Sequence, residues 1–193
     1  MKPTLFCRNL VATFLCLVFF APLKAQVTHS IGATLPFGVR TYTVYADAKN
    51  TDAYYMALLS YGFRYNLFET DNSSFSIGPL LSAGGGMYNG GYGAGFLYSG
   101  DLQAWADYNI GMGAVPDPPK NTGVYFGAGF GGSYTGADGD AIDDDNGISF
   151  GPMLRAGFRF GVMDTPIGVG VYYKHGIENA KWKTFGFHVF VDL

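Results

Sequence analysis

The chain has 193 residues and a net charge of −3 at pH 7, and 14% of its residues are charged, against about 25% in an ordinary soluble domain. It carries 29 Gly, 17 Phe and 14 Tyr. So little charge with so many aromatics excludes a disordered or nucleic-acid-binding chain. So much glycine without a three-residue period excludes collagen and a mostly helical fold, since each interior Gly costs about 1 kcal/mol relative to Ala in a helix.

Lys2 and Arg8 precede an apolar run from Leu10 to Leu23, and Ala25 stands before Gln26. A positive start, a run of this length and a small exit residue predict a secretory signal peptide over residues 1–25. The run falls short of the ~20 residues a spanning helix needs. Both cysteines, Cys7 and Cys16, lie inside it, so the domain over residues 26–193 is expected to be exported with no thiol and no disulfide. Thr13-Phe14-Leu15 before Cys16 lacks the small residue that precedes a lipidated cysteine. Taking away Lys2, Arg8 and Lys24 leaves nine basic against 15 acidic residues, a net charge of −6. That balance makes nucleic acid a poor partner.

The remainder reads as strands. The first runs from Val27 to Leu35 with Ile31, Ala33 and Leu35 in phase; Pro36 to Tyr45 either prolongs it through a bulge or forms its own loop. From Ala53 to Phe68, Tyr55, Ala57, Leu59, Tyr61, Phe63, Tyr65 and Leu67 alternate with Met56, Leu58, Ser60, Gly62, Arg64 and Asn66. Period two over this length means a strand with two unlike faces. The pattern recurs from Phe75 to Ala83, from Asp101 to Met112, from Val124 to Gly131, from Ile148 to Gly161, from Ile167 to Lys174 and from Thr184 to Leu193. Short polar turns are expected at Glu69–Ser74, Val115–Thr122 and Met163–Pro166, with Pro116, Pro118 and Pro119 as breakers. Between them fall connections at Ala46–Asp52, the Gly-rich Gly84–Gly95, Gly136–Gly147 and Gly176–Lys181. Eight strands joined in sequence predict an all-β, up-and-down antiparallel barrel.

Alternation alone does not say which face is inside. The bore of eight strands is only just wide enough for side chains to fill, and the Phe, Tyr, Leu, Ile and Val face would overfill it. A soluble barrel with the opposite face outward would show water a wall of glycine, far below the 25–35% charge of a soluble surface. The runs also cover the 9–11 residues of a tilted membrane strand. The apolar face is therefore predicted to look outward into lipid, making a transmembrane β-barrel.

That phase places Arg64, Asp101, Asp107, Arg155, Arg159, Lys174, His188 and Asp192 in one narrow lumen. Charges withdrawn from water must pair, so a sealing network of ion pairs is predicted, with Asp107 against Arg159 or Arg64. A structural network is favoured over a proton or solute path. Trp105 and Trp182 also fall on the inward phase, while Tyr65, Tyr98, Tyr108 and Tyr173 fall outside, where an interfacial girdle belongs.

With its signal peptide, eight alternating strands and a last strand Phe185-Gly186-Phe187-His188-Val189-Phe190-Val191-Asp192-Leu193, the chain resembles the small eight-stranded outer-membrane barrels of Gram-negative bacteria, the group that includes OmpX and the OmpA transmembrane domain. Members end in an aromatic residue read by the assembly machinery; here Leu193 holds that place. The resemblance implies a location in the outer membrane after export to the periplasm, lipid and lipopolysaccharide as neighbours, a monomer, and a structural or adhesion-like role without catalysis or cofactor. Surface ligands would meet residues 84–95, with Met87, Tyr88 and Tyr92, or residues 136–147.

Other motifs carry less. Gly127-Ala128-Gly129-Phe130-Gly131-Gly132 matches G-x-G-x-x-G, but it lies within a strand and no helix follows to receive a pyrophosphate. These glycines are expected to relieve crowding beside rings such as Tyr125. Asp138, Asp140, Asp143, Asp144 and Asp145 form an acidic run without the calcium-loop spacing. No metal centre is predicted; Asp140, Asp143 and Asp145 are candidates for weak divalent-cation binding, set against a solvated loop. A lipid A-modifying barrel enzyme is the alternative reading and would need His and Ser together at the membrane surface. Ile31, Ile177 and Phe190 stand two beyond His29, His175 and His188, and the adjacent His29 and Ser30 point to opposite faces. A soluble lipocalin-like lipid binder is a third reading.

Overall fold

The structure, a computed structural model, describes residues 27–43, 49–90, 93–116, 118, 120–137, 147–163, 165–177 and 182–193. The proposed signal peptide and the acidic run with Asp140, Asp143 and Asp145 lie outside the described residues. Eight strands follow in order: β1 (Val27–Thr43), β2 (Lys49–Glu69), β3 (Ser73–Gly90), β4 (Gly93–Gly111), β5 (Thr122–Ala137), β6 (Gly147–Val162), β7 (Thr165–His175) and β8 (Lys183–Asp192). Each pairs antiparallel with its sequence neighbour, and β8 closes on β1, so the sheet is an up-and-down barrel with no free edge. Closure gives every strand two hydrogen-bonding neighbours, the condition for a sheet to stand in hydrocarbon.

The faces fall as the period-two pattern predicts. Leu59, Leu81, Leu102, Phe126, Leu154, Phe158 and Phe187 are exposed on the outside, whereas Ser60, Ser82, Gln103, Tyr125, Met153 and His188 are buried within. Tyr65 and Tyr108 lie outside near the end that carries Val27 and Leu193. Tyr98 lies outside toward the other, far end, with Tyr173 half-buried in the same quarter. Among the described residues the interior holds large side chains, with Trp105, Tyr125, Met153 and Tyr172 all buried in it.

Several expectations are corrected, among them the connection at Ala46–Asp52, of which Lys49–Asp52 belong to β2 and pair with β1. β1 runs unbroken through Pro36, with Thr34 opposite Leu58 and Phe37 opposite Tyr55 in one register, so there is neither bulge nor separate loop. The irregularity sits instead in β2, where the pairing with β3 shifts between Asn66 and Phe68 and leaves Phe68 exposed. Most of residues 84–95 is not a loop: Gly84–Gly90 and Gly93–Gly95 belong to β3 and β4, paired as far as Gly90 opposite Gly93, while Tyr92 lies outside the described residues. Glycine signals a loop when read alone, yet here Gly84 faces Leu58 and Gly86 faces Met56 across the ladder. A Cβ on Gly86 would come 2.6 Å from Cα and Cγ of Met56, so the absent side chains make room for the inward ones opposite. Likewise Gly136 and Ala137 end β5 and Gly147 opens β6.

Met112, expected on the outer face, is buried instead. Gly111 and Gly113 have φ of 75° and 74°, a left-handed conformation that only glycine adopts cheaply. They turn the β4–β5 connection inward, so that Ala114 is fully buried and the connection caps the terminal end of the bore.

Candidate functional site

The lumen is built from glycine gaps and the large groups that fill them. In a strand, residues two apart share a face, so Gly127, Gly129 and Gly131 leave three successive openings on the inner wall of β5. Asp107 occupies the space beside Gly127, Trp105 lies over Gly129, with an added Cβ 2.7 Å from its ring, and Met153 Sδ would stand 2.6 Å from a Cβ on Gly131. The Tyr125 hydroxyl fills the space at Gly157 and Gly170, and the Phe190, Tyr172 and Tyr54 rings cover Gly168, Gly186 and Gly38. The run resembling a dinucleotide motif is thus a set of sockets for side chains.

Into this frame the strands place the eight predicted lumen residues, and all eight point inward. Arg155 grips Asp107 with two hydrogen bonds, Nε to Oδ1 at 2.8 Å and Nη2 to Oδ2 at 2.5 Å. The expected partners of Asp107, Arg159 and Arg64, turn instead to Asp192. Arg64 Nη1 reaches Asp192 Oδ2 at 2.9 Å and Arg159 Nε lies 3.2 Å from the same oxygen, while Ser30 donates to Asp192 Oδ1 at 2.6 Å. The cause is strand register: Asp107, Gly127 and Arg155 occupy one row across β4, β5 and β6.

Further partners lie outside the charged set. Arg159 Nη1 donates to Asn109 Oδ1 at 2.7 Å, and Asn109 Nδ2 donates to Ser76 Oγ at 2.9 Å. Arg64 Nη2 donates to the Gly113 carbonyl at 2.7 Å and Asn66 Nδ2 to that of Ala114 at 3.2 Å, which ties the inturned connection to the wall. The Arg155 guanidinium lies 4.4 Å from the Trp105 ring centre and that of Arg159 lies 4.5 Å from Tyr125, cation–π contacts strengthened by the burial of both rings. Asn109, Tyr125 and Trp105 were legible only as members of the inward phase.

His188 shares a hydrogen bond with the Tyr125 hydroxyl and stacks against Tyr172, their centroids 6.3 Å apart. The other two histidines are elsewhere and on the outer face. His29 bonds the Tyr61 hydroxyl at 2.8 Å and His175 that of Tyr173 at 3.1 Å. Ser30 faces inward to Asp192, opposite to His29, as the alternation requires. Each histidine is therefore paired with a tyrosine.

Toward the far end, Lys174 Nζ donates to Ser133 Oγ, and Ser99 donates to Asp101 Oδ1 at 3.2 Å. Asp101 and Lys174 line a chamber of about 10 Å³, and the larger chamber beside Arg155, Trp105 and His188 measures about 50 Å³. Tyr54, Met56, Leu58, Tyr88 and Leu97 form an apolar cluster above, with Trp182 packed against it. Both tryptophans thus lie on the inner side, Trp182 with its ring centre 5.0 Å from that of Tyr54.

No protein-family model matches the sequence, and no characterised protein matches it at the level of sequence. Solved structures do match the fold. Neisserial surface protein A superimposes with a TM-score of 0.50 and 13% identity, over 86% of this chain and 96% of that one. The outer membrane protein OprG from Pseudomonas aeruginosa superimposes with a TM-score of 0.52 and 10% identity, over 87% of this chain and 94% of that one. At such identities the shared property is architecture. The chain has the eight-stranded antiparallel barrel fold of these outer-membrane proteins.

Proposed function

We propose that the chain is an integral outer-membrane barrel, monomeric and closed to solutes, that acts as a structural or surface-interaction protein and not as a catalyst. The observation that carries this reading is the crossed lumen: an apolar exterior surrounds a bore spanned by Arg155–Asp107 and by the Asp192 cluster, and the two chambers beside those charges and beside Lys174, about 50 and 10 Å³, have room for a few waters at most. The exterior supports the membrane, because a continuous belt of exposed Leu, Phe and Tyr is solvated by acyl chains and not by water.

Surface contact would fall to the far end. There β3 and β4 pair for four residues beyond the last described pairing of β4 with β5, from Leu97 to Gly93, about 13 Å of ladder. The described β7–β8 ladder reaches His175 opposite Lys183, and the Gly176 N–H donates to the Trp182 carbonyl just beyond it at 2.7 Å. A hairpin held by its ladder presents Met87 and Phe96, both exposed, at little cost in ordering on binding.

Single-channel recording on the purified protein in planar bilayers tests the closed lumen; no conductance steps are expected, and steps would overturn it. Carbonate-resistant membrane association with heat-modifiable gel migration tests the location. An altered lipid A mass spectrum on overexpression would instead favour the enzyme reading.

A further inference from the structure

The charges of the lumen do not balance where they are packed. Around the 50 Å³ chamber stand three guanidinium groups, Arg64, Arg155 and Arg159. Asp107 and Asp192 are the two carboxylates in contact with them. Both oxygens of Asp107 are taken by Nε and Nη2 of Arg155, which leaves Asp192 to serve Arg64 and Arg159 together. His188 is the other titratable group on the chamber wall and is tied to Tyr125. Asp101 lies six residues along β4 from Asp107, roughly 20 Å away, in the far chamber with Lys174. Glu69 is at the exposed terminal rim, accepting from Asn66 at 2.9 Å. Among the described residues, one positive charge near the chamber has no carboxylate of its own.

Two of the donors say where it is felt. Arg64 is 7% exposed and Arg159 is 2% exposed, and the Nε of each has no hydrogen-bond acceptor. For Arg159 the Asp192 oxygen is near but not aligned with the N–H. A buried donor left without an acceptor is costly, and a guanidinium cannot shed its proton to escape. A lysine could become neutral here; an arginine cannot.

We propose that this chamber binds a halide-sized monovalent anion among Arg64, Arg155 and Arg159. One negative charge neutralises the excess, whereas a divalent sulfate or phosphate would overshoot it and is large for the space. Chloride takes up several N–H groups at once without a preferred direction, which suits nitrogens arriving from β2 and β6. Trp105 and Leu80 add an apolar part to the wall of the same chamber.

The test uses the full folded barrel in detergent. Urea unfolding midpoints are measured as chloride replaces gluconate at constant ionic strength, and crystals grown in bromide are examined for anomalous scattering. A saturable rise in midpoint and a bromide peak in the chamber are expected. Leu80→Asp adds a carboxylate to the chamber wall, and the heat-modifiable variant should lose both the chloride dependence and the peak. Wild-type protein with no chloride-specific shift and no bromide peak would overturn the proposal, whether or not the variant assembles. A chloride shift undiminished in folded Leu80→Asp would overturn it as well, by placing the anion elsewhere.

Discussion

Arg155 on β6 and Asp107 on β4 meet over a residue that has no side chain. Gly127 on β5 stands between them in the same row of the ladder, and a Cβ there would run into the Asp107 carboxylate. The bidentate pair, the glycine between and the Trp105 ring 4.4 Å from the guanidinium form one unit made by three strands. A side chain on any strand of an eight-stranded barrel reaches past its neighbour only where that neighbour is small.

Breaking this pair from one side leaves a charge in the bore. Asp107→Ala is expected to destabilise the barrel by about 3–5 kcal/mol, the range for an orphaned buried ion. Urea unfolding in detergent micelles, followed by the fluorescence of Trp105 and Trp182, checks it. A loss below about 1 kcal/mol, the range of a surface pair, would mean that water reaches Arg155 freely.

The glycines are not equivalent, and two of them make a controlled comparison. Gly127→Ala places a methyl group against Asp107 and the Ala106 carbonyl and is expected to cost about 1–3 kcal/mol through overpacking. Gly100 lies on the outer face with nothing within 4 Å of an added Cβ, so Gly100→Ala should stay within about 0.5 kcal/mol. The same unfolding assay distinguishes them.

Leu154 is 62% exposed at the middle of β6. If hydrocarbon covers it, Leu154→Arg should cost about 2–4 kcal/mol when unfolding is measured from lipid vesicles. A soluble barrel would tolerate the change within about 0.5 kcal/mol. This substitution reads the orientation of the faces independently of any binding assay.

The cap at the terminal end depends on one backbone conformation. Gly113 has φ of 74°, its carbonyl accepts from Arg64 at 2.7 Å, and a Cβ on it would stand 2.7 Å from Cδ of Arg159. Gly113→Ala combines left-handed strain with that contact and is expected to cost about 1–3 kcal/mol. Faster proteolysis within residues 112–121, with the barrel itself still heat-modifiable, would localise the effect to the cap.

Much of this arrangement is written in alternate residues. The inward placement of Arg64, Asp107, Arg155 and His188, and the outward placement of Leu59, Phe126 and Phe187, follow from side chains two apart sharing a face. Glycine misled at Gly84–Gly95 because its weak strand propensity ignores what stands across the ladder; Met56 and Leu58 supply the packing that those glycines lack. Met112 misled because the alternation ends at Gly111, and a positive φ leaves no mark in hydrophobic periodicity.

The amino-acid order alone decided which side chains share the bore, since that depends only on the pleat of each strand and on the volume eight strands enclose. Which charge meets which was decided by the closed barrel. Register sets the row on which Asp107 and Arg155 both stand, and the closure of β8 on β1 brings Asp192 to Arg64 across 128 residues of chain. Contacts of that kind are fixed by the stagger between strands, a property of the whole ladder that no local run of residues contains.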